Sequence, residues 1–228
     1  MEALSRLIYV TGTEPDPDWE DEFNRWYDDE HIPNLRSVPG YFSARRYVAV
    51  EGDPKYMAIY EIASLDAFRS PEHDRLANTA WTERMRPHFK GRGLVFYEQV
   101  FPQEGLIQGA AWGRSEGALL TVRLDVAPDK EQDFNDWYDQ EHLAALAAVP
   151  GVIAVRRFRA VEGGGPKYMA VYHLTEPAVC SSGAWSKAAD TPWSARVRPS
   201  FTTRWRTLYR PWELVVAAPP GGRRAPAG

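Results

Sequence analysis

Residues 23–31 read Phe-Asn-Arg-Trp-Tyr-Asp-Asp-Glu-His, and Val-Pro-Gly follows at residues 38–40. The same pattern returns 111 positions later, as Phe-Asn-Asp-Trp-Tyr-Asp-Gln-Glu-His at residues 134–142 with Val-Pro-Gly at residues 149–151. Between residues 23–40 and 134–151, 11 of 18 aligned positions are identical without a gap. A match of this quality indicates a duplicated unit, and its period is the length of a small domain.

The repeat continues over most of the chain. Arg-Arg at residues 45–46 recurs at 156–157, and Pro-Lys-Tyr-Met-Ala-Ile-Tyr at 54–60 recurs as Pro-Lys-Tyr-Met-Ala-Val-Tyr at 166–172. We therefore expect two copies of one fold packed on each other. The predicted division is a first module at residues 1–102, a linker at 103–117, a second module at 118–214 and a disordered, Pro- and Gly-rich tail at 215–228.

Hydrophobic periodicity predicts an α+β fold. Leu120, Val122 and Leu124 alternate with polar residues, as in a half-buried strand. In the second arm of the predicted hairpin, Tyr56, Ala58 and Tyr60 should point to one face, and Met57, Ile59 and Glu61 to the other. An amphipathic helix, a hairpin, a second helical region and a final strand follow in each copy, so each module is predicted to be a ferredoxin-like β-α-β-β-α-β unit. Pro33 should end or kink the first helix just after His31. His73, close to Pro71, is predicted to lie in a solvated loop.

Composition limits the classes of partner. The chain has 31 acidic and 27 basic residues with a net charge of −4, and it contains no long run of like charge. Nucleic acid and anionic membranes are therefore not expected as partners. The only cysteine, Cys180, cannot form an internal disulfide, which suits a cytoplasmic location. The 13% aromatic content suits a core or a pocket for a flat apolar ligand.

The repeated helix and its Val-Pro-Gly exit resemble the dimeric α+β barrel superfamily, in particular its EthD-like branch. The resemblance covers nearly all of residues 3–212. It implies that the sheets of the two modules close into a barrel, here within one chain. It does not specify a reaction, because the superfamily includes cofactor-free monooxygenases, isomerases, cyclases, C–C lyases and haem enzymes, as well as proteins without known activity.

His31 and His142 are the main catalytic candidates. An imidazole titrates near neutral pH and can move protons between carbon and oxygen. Each lies one helical turn after a tyrosine, Tyr27 or Tyr138, whose phenol could donate to a substrate oxygen. A neighbouring carboxylate could fix the tautomer of each imidazole. The alternative interpretation is a helix-end histidine with a purely structural role.

Further residues are candidates for substrate binding. Some are aromatic or cationic residues of the repeat, and others are polar positions where the copies differ, such as Glu61, which becomes His173, and His88, which becomes Ser200. The complete set is Trp26, Arg46, Tyr60, Glu61, His88, Trp137, Arg157 and His173. Arg46 and Arg157 could face the barrel interior, or could point outward to Glu51 and Glu162. No metal site is predicted, because the histidines lack ligand spacing.

The sequence thus predicts a cofactor-independent acid–base enzyme of lyase, isomerase or cyclase type, acting on a small aromatic or polyketide-like molecule. His31 would be its general base or acid, and the first module is favoured because it has more titratable groups. One alternative is a monooxygenase that is cofactor-free or uses haem. Another is a non-catalytic ligand-binding barrel. Further assembly into a homo-oligomer stays open.

Overall fold

A computed structural model describes residues 5–213, except for the side chains of residues 91 and 92. Nine strands lie in this part of the chain. They are β1 (Leu7–Pro15), β2 (Tyr41–Glu51), β3 (Tyr56–Ile62), β4 (Phe89–Phe101), β5 (Ile107–Gln108), β6 (Ala118–Val126), β7 (Val152–Gly163), β8 (Tyr168–Leu174) and β9 (Phe201–Pro211). β-branched and aromatic residues dominate the long strands, as strand propensity requires.

Eight of these strands form a closed antiparallel barrel. Their order is β4-β1-β3-β2-β9-β6-β8-β7, and β4 pairs with β7 to complete the circle. The short β5 extends the sheet beyond β7. Each half of the chain contributes four consecutive strands in the same relative order, and the halves meet at the β2–β9 and β4–β7 pairs. Closure leaves no free edge among the eight long strands.

Short helices cover the outside of the barrel. In the first half they are α1 (Glu20–Trp26), α2 (Ile32–Arg36), α3 (Leu65–Phe68), α4 (Pro71–Ala77) and α5 (Ala80–Met85). In the second half they are α6 (Glu131–Trp137), α7 (Leu143–Ala147), α8 (Gly183–Ala189) and α9 (Pro192–Val197). Single π-helical turns, Tyr27–His31 and Tyr138–His142, connect α1 to α2 and α6 to α7. Side-chain hydroxyls such as those of Ser70 and Thr79 cap the helix N-termini.

The alternation of side chains along each strand separates three cores. On β3, Tyr56, Ala58 and Tyr60 face the helices of the first half, whereas Met57 and Ile59 face the barrel interior. The sequence predicted this alternation for β3, and it is confirmed. The interior is filled by aliphatic and aromatic side chains from both halves, and each half has a separate core between its sheet and its helices.

The structure corrects two local predictions. Pro33 does not end the helix, because it lies in the first turn of α2, where its missing N–H needs no partner. The preceding π turn is not caused by Pro33 either, since the second half has the same turn with Ala144 in that place. His73 is not a surface residue: it lies in α4, is 7% exposed and contacts the Tyr41 hydroxyl. The predicted linker contains the strand β5.

A further prediction concerns the C-terminal tail. The predicted tail at residues 215–228 lies outside the described residues. Among residues 5–213, none of the helices combines the length and the apolar composition needed to cross a membrane.

Candidate functional site

The two repeated histidines lie in nearly identical surroundings between helix and sheet. The His31 ring is 4.4 Å from the Trp26 ring and 5.1 Å from the Tyr27 ring, centroid to centroid. The His142 ring is 4.1 Å from Trp137 and 5.1 Å from Tyr138. Within residues 5–213, the Nδ1 atoms of both histidines are buried and have no hydrogen-bond partner.

Burial makes these two imidazoles weak bases. It is the largest cause that lowers the pKa of His31 to about 3, and nearby His73 and Arg46 lower it further. Burial and then Arg198 lower the pKa of His142 to about 3 as well. Both rings are therefore neutral at pH 7, far from the pKa near the working pH that suits general acid–base catalysis.

The carboxylates next to these histidines bind other residues. Glu30, directly before His31, accepts a hydrogen bond from the Thr79 hydroxyl, and Glu141 accepts one from Thr191 at 2.6 Å. Asp28 accepts hydrogen bonds from Arg46 and from the Trp212 indole. The predicted carboxylate–imidazole contact is therefore not formed by these residues.

Arg46 and Arg157 face the helices and not the barrel interior. Arg46 donates to Asn24 at 2.7 Å and to Asp28, and its guanidinium lies 4.4 Å from the centre of the Tyr27 ring. Arg157 makes the equivalent contacts with Asn135 and Asp139 and stacks on Tyr138 at 4.8 Å. Both predicted placements, inside the barrel or paired with Glu51 and Glu162, are wrong. The two arginines hold helix to sheet.

The remaining aromatic candidates lie in packed surroundings. The Trp26 and Trp137 indoles donate to Thr82 and Ser194 at 3.1 and 3.2 Å. Tyr60 stacks on Tyr9 at 4.3 Å, and burial raises the pKa of both phenols. His88 stacks on Trp19 at 3.6 Å, with its Nδ1 3.4 Å from Asp16.

Glu61 and His173, in contrast, meet in one cavity. They occupy equivalent positions on β3 and β8, opposite Ile8 and Leu119. The cavity lies inside the barrel at the end where β1 and β6 begin, and it has a volume of about 520 Å³. We call it the mouth cavity. Its charged and polar lining residues are Ser43, Arg45, Tyr47, Glu61, Arg114, Glu116, Arg156 and His173.

Ion pairs across the two halves organise the mouth cavity. Arg156 of the second half donates to Glu61 of the first half at 2.6 Å, and both side chains are more than nine-tenths buried. Arg45 of the first half forms a second ion pair, with Glu116, at 3.2 Å. Arg45 also lies 3.9 Å from the exposed Glu213, which is outside the cavity lining.

His173 and Glu116 form a carboxylate–imidazole pair in this cavity. Nδ1 of His173 is 2.8 Å from Oε2 of Glu116. Burial alone would raise the pKa of Glu116, but the charge of His173, its hydrogen bond and the charge of Arg45 outweigh burial and lower the pKa. Glu116 is therefore a carboxylate at neutral pH. Burial, and then the charge of Glu116, raise the pKa of Tyr47, which stays a neutral phenol.

Comparisons with known proteins add information about the fold. No protein-family model matches the chain, and no curated protein matches it by sequence. An anthrone oxidase-like protein has a similar structure, with a TM-score of 0.67 and 14% identity over 92% of this chain and 93% of that chain. A protein of Fusobacterium nucleatum presumed to be a monooxygenase has a TM-score of 0.60 and 10% identity over 91% and 93%. A chlorite dismutase variant from Candidatus Nitrospira defluvii has a TM-score of 0.61 and 12% identity over 94% of this chain and 95% of that chain.

The chain has the dimeric α+β barrel fold. The structural neighbours are proteins of this fold and are mostly enzymes. At these identities the likeness shows the fold alone, so the EthD-like assignment stays a prediction.

A haem does not fit in the cavity next to His142. This cavity measures about 60 Å³, whereas pockets for organic ligands measure roughly 300–1,000 Å³. Beside His31, the rings of Trp26 and Tyr27 pack against the imidazole at 4.4 and 5.1 Å.

One large surface groove includes a predicted site residue. It has a volume of about 910 Å³, is open to solvent, and lies beside α2 and the end of β9, with Arg46 and Asp28 in its wall. These two side chains already bind each other. Among the described residues that line this groove there is no histidine for acid–base chemistry, so the mouth cavity is the better candidate site.

Four charged residues of the mouth cavity, Arg45, Arg114, Glu116 and Arg156, were not predicted from the sequence. Arg45 and Arg156 directly precede the arginines that were chosen, and the alternation along a strand puts one of each pair on each face. The sequence did offer a signal for these arginines. Met57, Ile59 and Glu61 were predicted to share one face of β3, and the residues of β2 that share this face could have been identified from strand pairing. Glu116 had no such signal, because its counterpart in the first half is Ser5 and it lies in the predicted linker.

Proposed function

We propose that this protein is an acid–base enzyme whose active site is the mouth cavity. The observation that carries the proposal is the His173–Glu116 pair, at 2.8 Å, inside a partly enclosed cavity of about 520 Å³. The substrate is a small aromatic or polyketide-like molecule with an acidic C–H or O–H next to a carbonyl or phenol. The reaction needs no cofactor and ends as an isomerisation, a cyclisation or a C–C cleavage.

In the proposed mechanism Glu116 orients His173. The Glu116 carboxylate accepts a hydrogen bond from Nδ1–H of His173, which fixes the tautomer and leaves the Nε2 lone pair for the substrate. Within the described residues, Nε2 makes no hydrogen bond. Nε2 removes the acidic substrate proton and later returns a proton to a different atom. Arg45, on the same carboxylate, offsets negative charge that develops on the substrate oxygen.

This proposal moves the base from His31 to His173. A histidine with a pKa of about 3 is protonated too rarely at neutral pH to act as an acid, and its neutral form is a poor base. His31 and Tyr27, with His142 and Tyr138, stay as predictions for a second site. Their support is the buried, unpartnered Nδ1 atom in each half.

We also infer that the halves are tandem ferredoxin-like modules. The support is the sequence repeat together with the shared strand order, fourth-first-third-second, in each half. Fusion allows the equivalent positions 61 and 173 to hold different residues. A glutamate on one side and a histidine on the other then make one asymmetric cavity.

Hydrogen–deuterium exchange tests this function, because it detects proton removal whatever the final product is. β-Keto and phenolic compounds are incubated with the protein in D₂O, and loss of their acidic C–H signals is followed by NMR. We expect exchange with the wild-type protein, loss of at least about 100-fold with His173→Gln, and little change with His31→Gln. Full exchange with His173→Gln, together with loss of exchange with His31→Gln, would contradict this proposal and would indicate a site at His31, between helix and sheet.

A cofactor-free oxygenase is the second candidate, favoured by the likeness to an anthrone oxidase-like protein. The same proton removal would then produce a carbanion that reacts with O₂. Oxygen consumption that accompanies substrate loss distinguishes this reaction from isomerisation. Absence of both exchange and oxygen uptake, with ligand binding retained, would indicate a binding protein instead.

A further inference from the structure

The charges of the mouth cavity do not balance. Three guanidinium groups (Arg45, Arg114 and Arg156) face two carboxylates (Glu61 and Glu116) in its lining. Arg156 is neutralised by Glu61, and Arg45 lies against Glu116. Among the described lining residues, both carboxylates are thus paired with Arg156 and Arg45, and Arg114 is the guanidinium that pairs with neither.

Arg114 has a free side chain at the entrance of the cavity. Within the described part of the chain, its guanidinium forms no ion pair and no hydrogen bond, while its backbone N–H donates to Ala111 at 3.0 Å. The segment around it is anchored: Ala110 and Ala111 donate to the carbonyls of Ala147 and Val152 at 2.9 and 2.8 Å. The cation is exposed, but its backbone is held beside the barrel entrance.

The rest of the lining is apolar and suits a hydrocarbon body. Ile8, Ile59 and Val171 form the wall inside the barrel, and Ile153 and the more exposed Trp112 complete the apolar lining. Such a surface binds flat apolar groups, and a few polar groups orient them. An anionic group at Arg114 would therefore coexist with an apolar body packed deeper in the cavity.

We infer that the ligand of the mouth cavity is a small organic monoanion, a carboxylate or acidic phenol on an apolar ring system. Arg114 binds the anionic group at the entrance, and the ring lies against Ile8, Ile59 and Val171. This inference rests on the proposed function, since it names the substrate class for the same site. Arg114 acts in binding and His173 in proton transfer, so the two roles can be separated.

Binding of 2-naphthoate and of its neutral analogue 2-naphthamide, measured by calorimetry at low ionic strength, tests the inference. We expect the wild-type protein to bind the anion more tightly than the amide. Arg114→Gln should weaken 2-naphthoate binding by about tenfold and leave 2-naphthamide unchanged, because a guanidinium–carboxylate contact of this exposure contributes that much. Added salt should weaken the binding of 2-naphthoate and leave the binding of 2-naphthamide unchanged. Arg75→Gln, on the exposed face of α4, is the matched control.

The outcomes separate this inference from the proposed function. His173→Gln should retain 2-naphthoate binding while it loses deuterium exchange. Equal affinity for the anion and the amide, or unchanged affinity in Arg114→Gln, would overturn the monoanion inference even if exchange depends on His173. Binding with no exchange on any carbon acid would instead contradict the proposed function and leave the ligand class standing.

Discussion

Arg156 and Glu61 form an ion pair of 2.6 Å in which both side chains are more than nine-tenths buried, and the two residues come from opposite halves of the chain. Their pairing joins β7 to β3 across the barrel interior, and it forms one wall of the cavity that contains His173. Burial of two charges is stabilising only while both are present, because each alone would lose its solvation without compensation.

Removal of one partner of this pair should therefore be costly. We expect Arg156→Met to lower the free energy of unfolding by about 3–5 kcal/mol, measured by denaturant titration, because it leaves the Glu61 carboxylate buried and unpaired. The control is Arg69→Met, since Arg69 and Glu162 also join the two halves but are about half exposed. That change should cost less than about 1 kcal/mol. Similar losses of unfolding free energy in the two variants would show that burial does not make the Arg156–Glu61 pair more important for stability than the exposed pair.

The pH dependence of stability should follow the two buried histidines. Their pKa falls from 6.5 to about 3 on folding, mainly through burial. Between pH 6.5 and pH 3 the unfolded chain binds more protons than the folded protein. The stability that the two neutral histidines contribute is therefore fully present above pH 6.5 and is lost as the pH falls toward 3. We expect the loss to reach roughly a few kcal/mol.

The double variant His31→Gln/His142→Gln should show a flatter dependence of unfolding free energy on pH between 7 and 5. Arg75→Gln serves as the control, because arginine stays charged throughout this range. An unchanged slope in the double variant would mean that the two imidazoles titrate normally in the folded protein.

The arginines between helix and sheet should not be replaceable by lysine. Arg157 is 1% exposed, donates to Asn135 and Asp139, and stacks on Tyr138. We expect Arg157→Lys to cost about 2–3 kcal/mol, since an ammonium group cannot make the forked contacts and the stacking together. Arg159→Lys, two residues along β7 at an exposed position, should change stability by less than about 0.5 kcal/mol. Thermal melts of both variants check this.

The Val-Pro-Gly exit of the repeated helix depends on its glycine. Gly151 has φ +92°, and a Cβ there would lie 2.4 Å from Cγ2 of Val179. Gly151→Ala should therefore lower the free energy of unfolding by about 2 kcal/mol or more. Gly164→Ala, where nothing lies within 4 Å of the added Cβ, should be nearly neutral. Denaturant titration of the two variants makes the comparison.

The strand alternation and the repeat could be predicted because they are local. Hydrophobic periodicity assigned Met57, Ile59 and Glu61 to one face of β3, and the repeat aligned His173 of β8 with Glu61. The choice of Arg46 over Arg45 failed because neighbouring residues of a strand point to opposite faces, and only strand pairing shows which face is closed inside the barrel.

The amino-acid sequence by itself determined a duplicated α+β chain, the order of its strands and helices, and the resemblance to barrel proteins, because these follow from short-range pattern and from repetition. Only the tertiary structure decided the chemistry of each titratable group. It packed His31 and His142 against aromatic rings, and it brought Glu116 from between the two halves onto His173. Proton affinity depends on burial and on charge contacts between residues that are distant in sequence, and the sequence around a residue does not show either of them.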